Sequence, residues 1–134
     1  MMEGMLAVAH VLGARFVFMD NLYMYGPADG PLTEHRPLTS YGHKPSTRAR
    51  LTRMWHAARD SGRVQVTAVR ASDFYGPGVV RVALGTHTFG RIVTGQPARC
   101  LGNIDVPHTF SYVPDVARAL ETLGAAPDDA YGLA

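Results

Sequence analysis

The chain is 134 residues long, 46% hydrophobic and 18% charged. That is enough for one hydrophobic core without staples and too apolar for a disordered chain. The net charge of +2 is spread along the whole length, without the dense basic patch that a nucleic-acid-binding surface requires; six scattered histidines and the single Cys100 exclude a His-x-x-x-His metal pair and an internal disulfide.

Residues 2 to 12 set Met5, Val8, Ala9 and Leu12 at helical spacing, and Gly13 follows as a stop. Glu3 stands where an export signal needs positive charge, and no apolar run reaches the roughly 18 residues that span a bilayer. A cytoplasmic chain without a membrane partner is expected. "ARFVFMD" is a nearly continuous run of strand formers, the pattern of a strand covered on both faces. Residues 26 to 45 are rich in proline and glycine and are read as loop. Pro45 then suits the first position of a helix whose apolar stripe is Leu51, Met54, Trp55 and Ala58. Lys44, Arg48, Arg50 and Arg53 read as its solvated side, and "DSG" at 60 to 62 ends it.

"VQVTAVR" at 64 to 70 alternates Val64, Val66 and Ala68 against Gln65, Thr67 and Val69, the signature of a second strand. "SDFYGPG" is read as a loop at its carboxyl end. A short element near Val79 to Leu84, a helix across Thr88 to Val93 and a strand at "ARCLG" follow, with Cys100 as a small buried apolar side chain. Pro114 opens a helix with Val116, Ala119, Leu120 and Leu123 on one face and Gly124 as its stop, and "AYGLA" reads as a last short strand.

Helix and strand in alternation predict an α/β fold with a parallel sheet, in which ligands bind outside the carboxyl ends of the strands. Those ends are Asp20-Asn21 and Ala71-Ser72-Asp73, each followed by a Tyr-Gly-Pro turn. A site formed between the two loops is expected.

Four segments in order carry a resemblance to a known family. "RFVFMDNLYMYGP" looks like "FVYxSSxxVYG", and "GPLTEHRPLTSYGHK" looks like "P-x-x-E…P…Y-x-x-x-K". "VTAVRASDFYGPG" is similar to "R-x-x-N-x-YGPG", and "FSYVPDVARAL" to "xxYVxDVAxAx". Together they resemble the NAD(P)-dependent epimerase/dehydratase branch of the extended short-chain dehydrogenase/reductases. The resemblance implies a partial Rossmann-like doubly wound parallel sheet lacking its N-terminal dinucleotide-binding half, because no G-x-x-G-x-x-G turn is present. Residues 1 to 134 would be one partial domain, the C-terminal half of a Rossmann-like domain plus the start of the substrate-binding region. It would be a fragment, inactive by itself, of a parent that forms a homodimer, with an apolar sheet edge left open.

The resemblance further implies an oxidoreductase or epimerase that uses NAD or NADP on a hydroxyl or carbonyl of a small, sugar-like substrate. The alternative is a non-catalytic, cofactor-sensing or interaction relative of the same fold. In the family a tyrosine moves a proton on the substrate hydroxyl, and a lysine one helical turn later lowers its pKa and holds the nicotinamide ribose. Lys44, the only lysine in the chain, and Tyr41 are the counterparts, at a spacing of three where the family has four. Pro45 pushes Lys44 out of helical geometry, which sets both residues in a lead-in loop. Asn21 falls where the family has a serine or threonine. Ala71 and Ser72 align beside the nicotinamide. Asp73 and His108 replace a substrate-facing asparagine and a phosphate-gripping arginine, a change that disfavours a diphosphate substrate.

Overall fold

The computed structural model describes residues 1–39, 41–80, 82, 85–99 and 103–127. In chain order the elements are helix α1 (Met2–Leu12), strand β1 (Phe16–Asp20), a 3-10 turn (Tyr23–Tyr25), helix α2 (His43–Asp60) and strands β2 (Val66–Arg70) and β3 (Asp73–Tyr75). Helix α3 (Thr86–Val93), strand β4 (Phe110–Tyr112) and helix α4 (Val113–Ala125) follow. The fold is α/β with parallel strands, in keeping with a partial Rossmann-like architecture. It divides into two compact units, residues 1–70 with 120–134, and residues 71–119.

In the first unit β1 and β2 pair in parallel from Phe16 opposite Val66 to Asp20 opposite Arg70, and α2 makes the connection between them. Strand β2 begins two residues later than the sequence suggests and is half-buried beyond Val66, without a clear alternation; Val66 is buried, Ala68 packs on the same cluster, and Val64, just before the strand, is buried with them. Leu6 and Ala9 of α1 and Trp55 and Ala58 of α2 complete that core. Trp55 meets Phe18 edge-on at 5.8 Å, and Phe18 stacks on Phe16 at 5.2 Å. Each large side chain buried this way contributes about 1.5–3 kcal/mol.

A second cluster joins Met24, Tyr25 and Ala49, with Leu22 and Leu38 against it. The rim of α2 is therefore fixed to the 3-10 turn after β1. The buried Thr52 hydroxyl is satisfied by the Arg48 carbonyl at 3.1 Å, so a polar side chain can lie inside the helix face.

Three expectations change here. The buried face of α1 is Leu6 and Ala9, whereas Met5, Val8 and Leu12 are exposed. Helix α2 starts two residues before Pro45, which occupies its third position and still lies in the first turn, where no intrahelical N–H bond is lost. Lys44 is therefore helical, not part of a lead-in loop. Gly62 (φ 67) and Gly13 (φ 58) close α2 and α1 as expected.

In the second unit the segment read as a loop contains β3, paired in parallel with β4 from Asp73 opposite Phe110 to Tyr75 opposite Tyr112. Tyr75 and Tyr112 lie 5.2 Å apart across the pair. Val79 and Val80 are in neither helix nor strand, and the rest of the element expected there falls largely outside the described residues. Cys100 and the strand ends expected at "ARCLG" and "AYGLA" also lie outside them. Helix α4 carries Val116, Ala119, Leu120 and Leu123 on its half-buried side, and runs one residue past Gly124.

Candidate functional site

The carboxyl end of β1 passes directly into a tight turn. Asn21 N–H donates to Asp20 Oδ1 at 2.9 Å, and Asn21 Oδ1 accepts the Tyr23 N–H at 3.0 Å. The second bond is an Asx turn, the local competitor to continued strand that Asn provides. It starts the 3-10 turn and directs Tyr23 outward. Asp20 is itself buried, and among the described residues its Oδ2 has no hydrogen-bond partner.

The loop that leads to α2 is tied to the same turn. Thr39 N–H donates to the Met24 carbonyl at 2.8 Å, and Thr39 Oγ1 accepts the Tyr41 N–H at 3.0 Å. Gly26 (φ 65) lies so close to Thr39 that an added Cβ would stand 2.9 Å from its methyl group. This close approach requires the glycine of the first Tyr-Gly-Pro turn. Gly42 (φ 72) then caps α2 and sends Lys44 back over the turn. The Lys44 ammonium sits 3.6 Å from the centroid of the Tyr23 ring. Asn21 and Lys44, far apart in sequence, thus both engage Tyr23, the first its N–H and the second its ring. Tyr41 lies outside the helix and is 70% exposed, so helical pitch does not set its spacing from Lys44.

Beneath this rim Arg70 closes β2. Its Nη1 donates to the Tyr25 hydroxyl at 2.5 Å, and its Nη2 lies 3.5 Å from His56 Nε2. Burial first, and then the Arg59 and Arg70 charges, hold the His56 pKa below its ordinary 6.5.

In the second unit Ala71 is buried and Ser72 is engaged twice by one side chain. Its N–H donates to Ser111 Oγ at 3.1 Å and the two hydroxyl oxygens are 3.0 Å apart. Asp73 Oδ2 and His108 Nε2 pair at 3.0 Å, both about half exposed, and the His108 ring rests against Phe110 at 4.8 Å. Tyr23 and Ser111 were not singled out in the sequence. Asn two positions before Tyr23 was the available signal for the first, and the second, on β4, lies inside the motif "FSYVPDVARAL" that signalled only the helix after it.

The sequence model of the NAD dependent epimerase/dehydratase family matches residues 1–132. The chain belongs to this family. No curated protein matches it. Among the described residues no group of three or more His, Cys, Asp and Glu side chains is arranged to hold a metal ion, and no helix is long and apolar enough to cross a membrane.

Members of the epimerase/dehydratase family are NAD dependent, and the donor set of the first unit fits one end of such a cofactor. The Tyr23 ring face takes up only part of the three-donor Lys44 ammonium, and the remaining N–H groups are those that a ribose hydroxyl would meet. The pyrophosphate end has no counterpart in a glycine-rich turn of these 134 residues.

Proposed function

We propose that this chain supplies the nicotinamide-facing and substrate-facing residues of an NAD(P)-dependent epimerase, dehydratase or reductase. The reaction is hydride transfer at a hydroxyl or carbonyl of a small, sugar-like molecule. The observation that carries the reading is the Lys44 ammonium, 3.6 Å over a ring whose backbone is tied to Asn21.

In this reading Lys44 donates to the nicotinamide ribose and Asn21 offers its amide to the substrate hydroxyl. Tyr41 gives or takes the proton on that oxygen. Ala71 and Ser72 line the cofactor. A bound nicotinamide supplies the hydride acceptor or donor. Asp73 and His108 face the substrate, and each already engages the other. The Asp73 carboxylate repels a diphosphate, and a paired imidazole is a poor replacement for a bidentate guanidinium. A substrate without a diphosphate follows. Lacking the glycine-rich turn, the 134-residue chain binds cofactor weakly and turns over nothing by itself.

The test is a titration of the 134-residue chain with NAD, NADP and nicotinamide mononucleotide, read by amide NMR. Weak binding is expected, with shifts at Asn21, Tyr41 and Lys44 that disappear in Lys44→Met. Shifts that survive Lys44→Met, or none at these residues at saturation, overturn the cofactor reading. Tight stoichiometric binding overturns the statement that the missing turn is needed.

The exposed position of Tyr41 outside α2 favours a second reading, a non-catalytic relative that senses cofactor. It requires that Tyr41→Phe change nothing measurable in an assembled, cofactor-binding form. A loss of alcohol turnover in Tyr41→Phe excludes it.

A further inference from the structure

We infer that Tyr23 is a positioning residue for Lys44, holding its ammonium through the face of the ring and not through the phenol hydroxyl. Lys44 is exposed in the first turn of a helix, where a four-carbon stem samples many rotamers. Yet its nitrogen lies 3.6 Å from the Tyr23 centroid, within the reach at which a ring quadrupole attracts a cation. Two bonds fix the backbone that carries the ring. Asn21 Oδ1 accepts the Tyr23 N–H at 3.0 Å, and the Tyr23 carbonyl accepts the Gly26 N–H at 3.0 Å. The Asn21 backbone N–H in turn donates to Asp20 Oδ1 at 2.9 Å, and its side-chain Nδ2 lies 3.4 Å from the same oxygen. A buried carboxylate at the end of β1 therefore holds the Asn21 N–H, the Asn21 side-chain oxygen holds the Tyr23 N–H, and the ring carried on that backbone faces the one ammonium in the side chains of this protein.

The consequence for cofactor affinity rests on the reading of Lys44 given above; the placement of the ammonium does not. Because Lys44 is the only lysine, reductive methylation with ¹³C-formaldehyde labels one side chain and the Met1 amine. Lys44→Arg identifies which signal is which. An ammonium over a ring face carries methyl carbons and protons shifted upfield by the ring current. The wild-type Lys44 signal is expected upfield of free dimethyl-lysine. Tyr23→Phe keeps that shift, since the face remains, and Tyr23→Leu returns it to the free position.

A wild-type signal at the free position overturns the inference without any variant. So does a Tyr23→Phe signal that moves as far as that of Tyr23→Leu, since the hydroxyl would then be what holds the lysine. In the cofactor titration, Tyr23→Leu should weaken binding about two- to fivefold, the range of an exposed cation–π contact, and Tyr23→Phe should not. Upfield-shifted Lys44 methyls that ignore added cofactor would leave the positioning role standing and sink the cofactor reading alone.

Discussion

Arg70 ends β2 with its guanidinium between two rings, 5.4 Å from the Tyr25 centroid and 5.7 Å from that of Trp55. Tyr25 is 6% exposed, and among the described residues Arg70 is the hydrogen-bond partner of its hydroxyl. Arg70→Met should therefore cost about 1–3 kcal/mol in urea denaturation, the penalty of a buried hydroxyl left unpaired. Adding Tyr25→Phe removes the orphaned oxygen, and the double variant should be more stable than the sum of the single losses predicts. Strict additivity would show that the pair is not coupled. His56 gives the neighbouring prediction. Trp55, Arg59 and Asp60 on α2, Arg70 on β2 and Asp20 on β1 surround it, and its folded pKa is below 6.5. As pH falls through about 6.5 the unfolded chain takes up a proton that the folded chain refuses, so stability drops until the lower folded value is passed. His56→Gln should flatten that part of the denaturation midpoint measured between pH 7.5 and 5; an unchanged slope contradicts the assignment. At this scale the sequence made Lys44 legible because it is the only lysine. Tyr23 was hidden because the pairing of the two depends on where α2 begins.

That starting point belongs to the elements. The sequence pattern suggests Pro45 as the first helical residue, but the first turn leaves several N–H groups unbonded, so His43 and Lys44 can precede it. Strands of three residues, flanked by glycine and proline, carry too little periodicity to read, and β3 and β4 were missed for that reason. The exposed side of α1 has the same root. Met5, Val8 and Leu12 match a helical stripe as well as Leu6 and Ala9 do, and only the partners decide which side is buried. The Tyr-Gly-Pro turn after β3 yields a prediction. Gly76 has φ 117, and a Cβ there would stand 2.7 Å from the Tyr112 ring. Gly78, with φ 80, meets nothing within 4 Å. Gly76→Ala must bear both backbone strain and a clash with β4, a cost of about 1–3 kcal/mol, and Gly78→Ala only the strain. Amide exchange in β3 and β4 should quicken more in the first variant than in the second. Equal effects would mean that Tyr112 moves aside at no cost.

For the whole molecule, the α/β class was readable because helix and strand alternate and four motifs occur in the family's order. The division into two units was not, because it follows from where burial concentrates. Among the described residues, the buried apolar side chains lie in the first unit apart from Ala71. Both core clusters are there too. The second unit rests on a two-stranded pairing, the Tyr75–Tyr112 contact and the Ser72–Ser111 and Asp73–His108 bonds. Polar pairs of this kind, half-buried or exposed, contribute about 1 kcal/mol each, less than a buried aromatic or aliphatic side chain. Local stability should therefore differ between the units. Native-state hydrogen exchange in low urea should open the amides of β3 and β4 before those of β2 and the middle of α2. Leu6→Ala, which removes a fully buried side chain from the first core, should cost about 2–5 kcal/mol there and erase most of the difference. If the two sets of amides instead exchange together, with one free energy and one dependence on urea, the molecule unfolds as a single cooperative body, and the second unit draws stability from contacts other than those named for it.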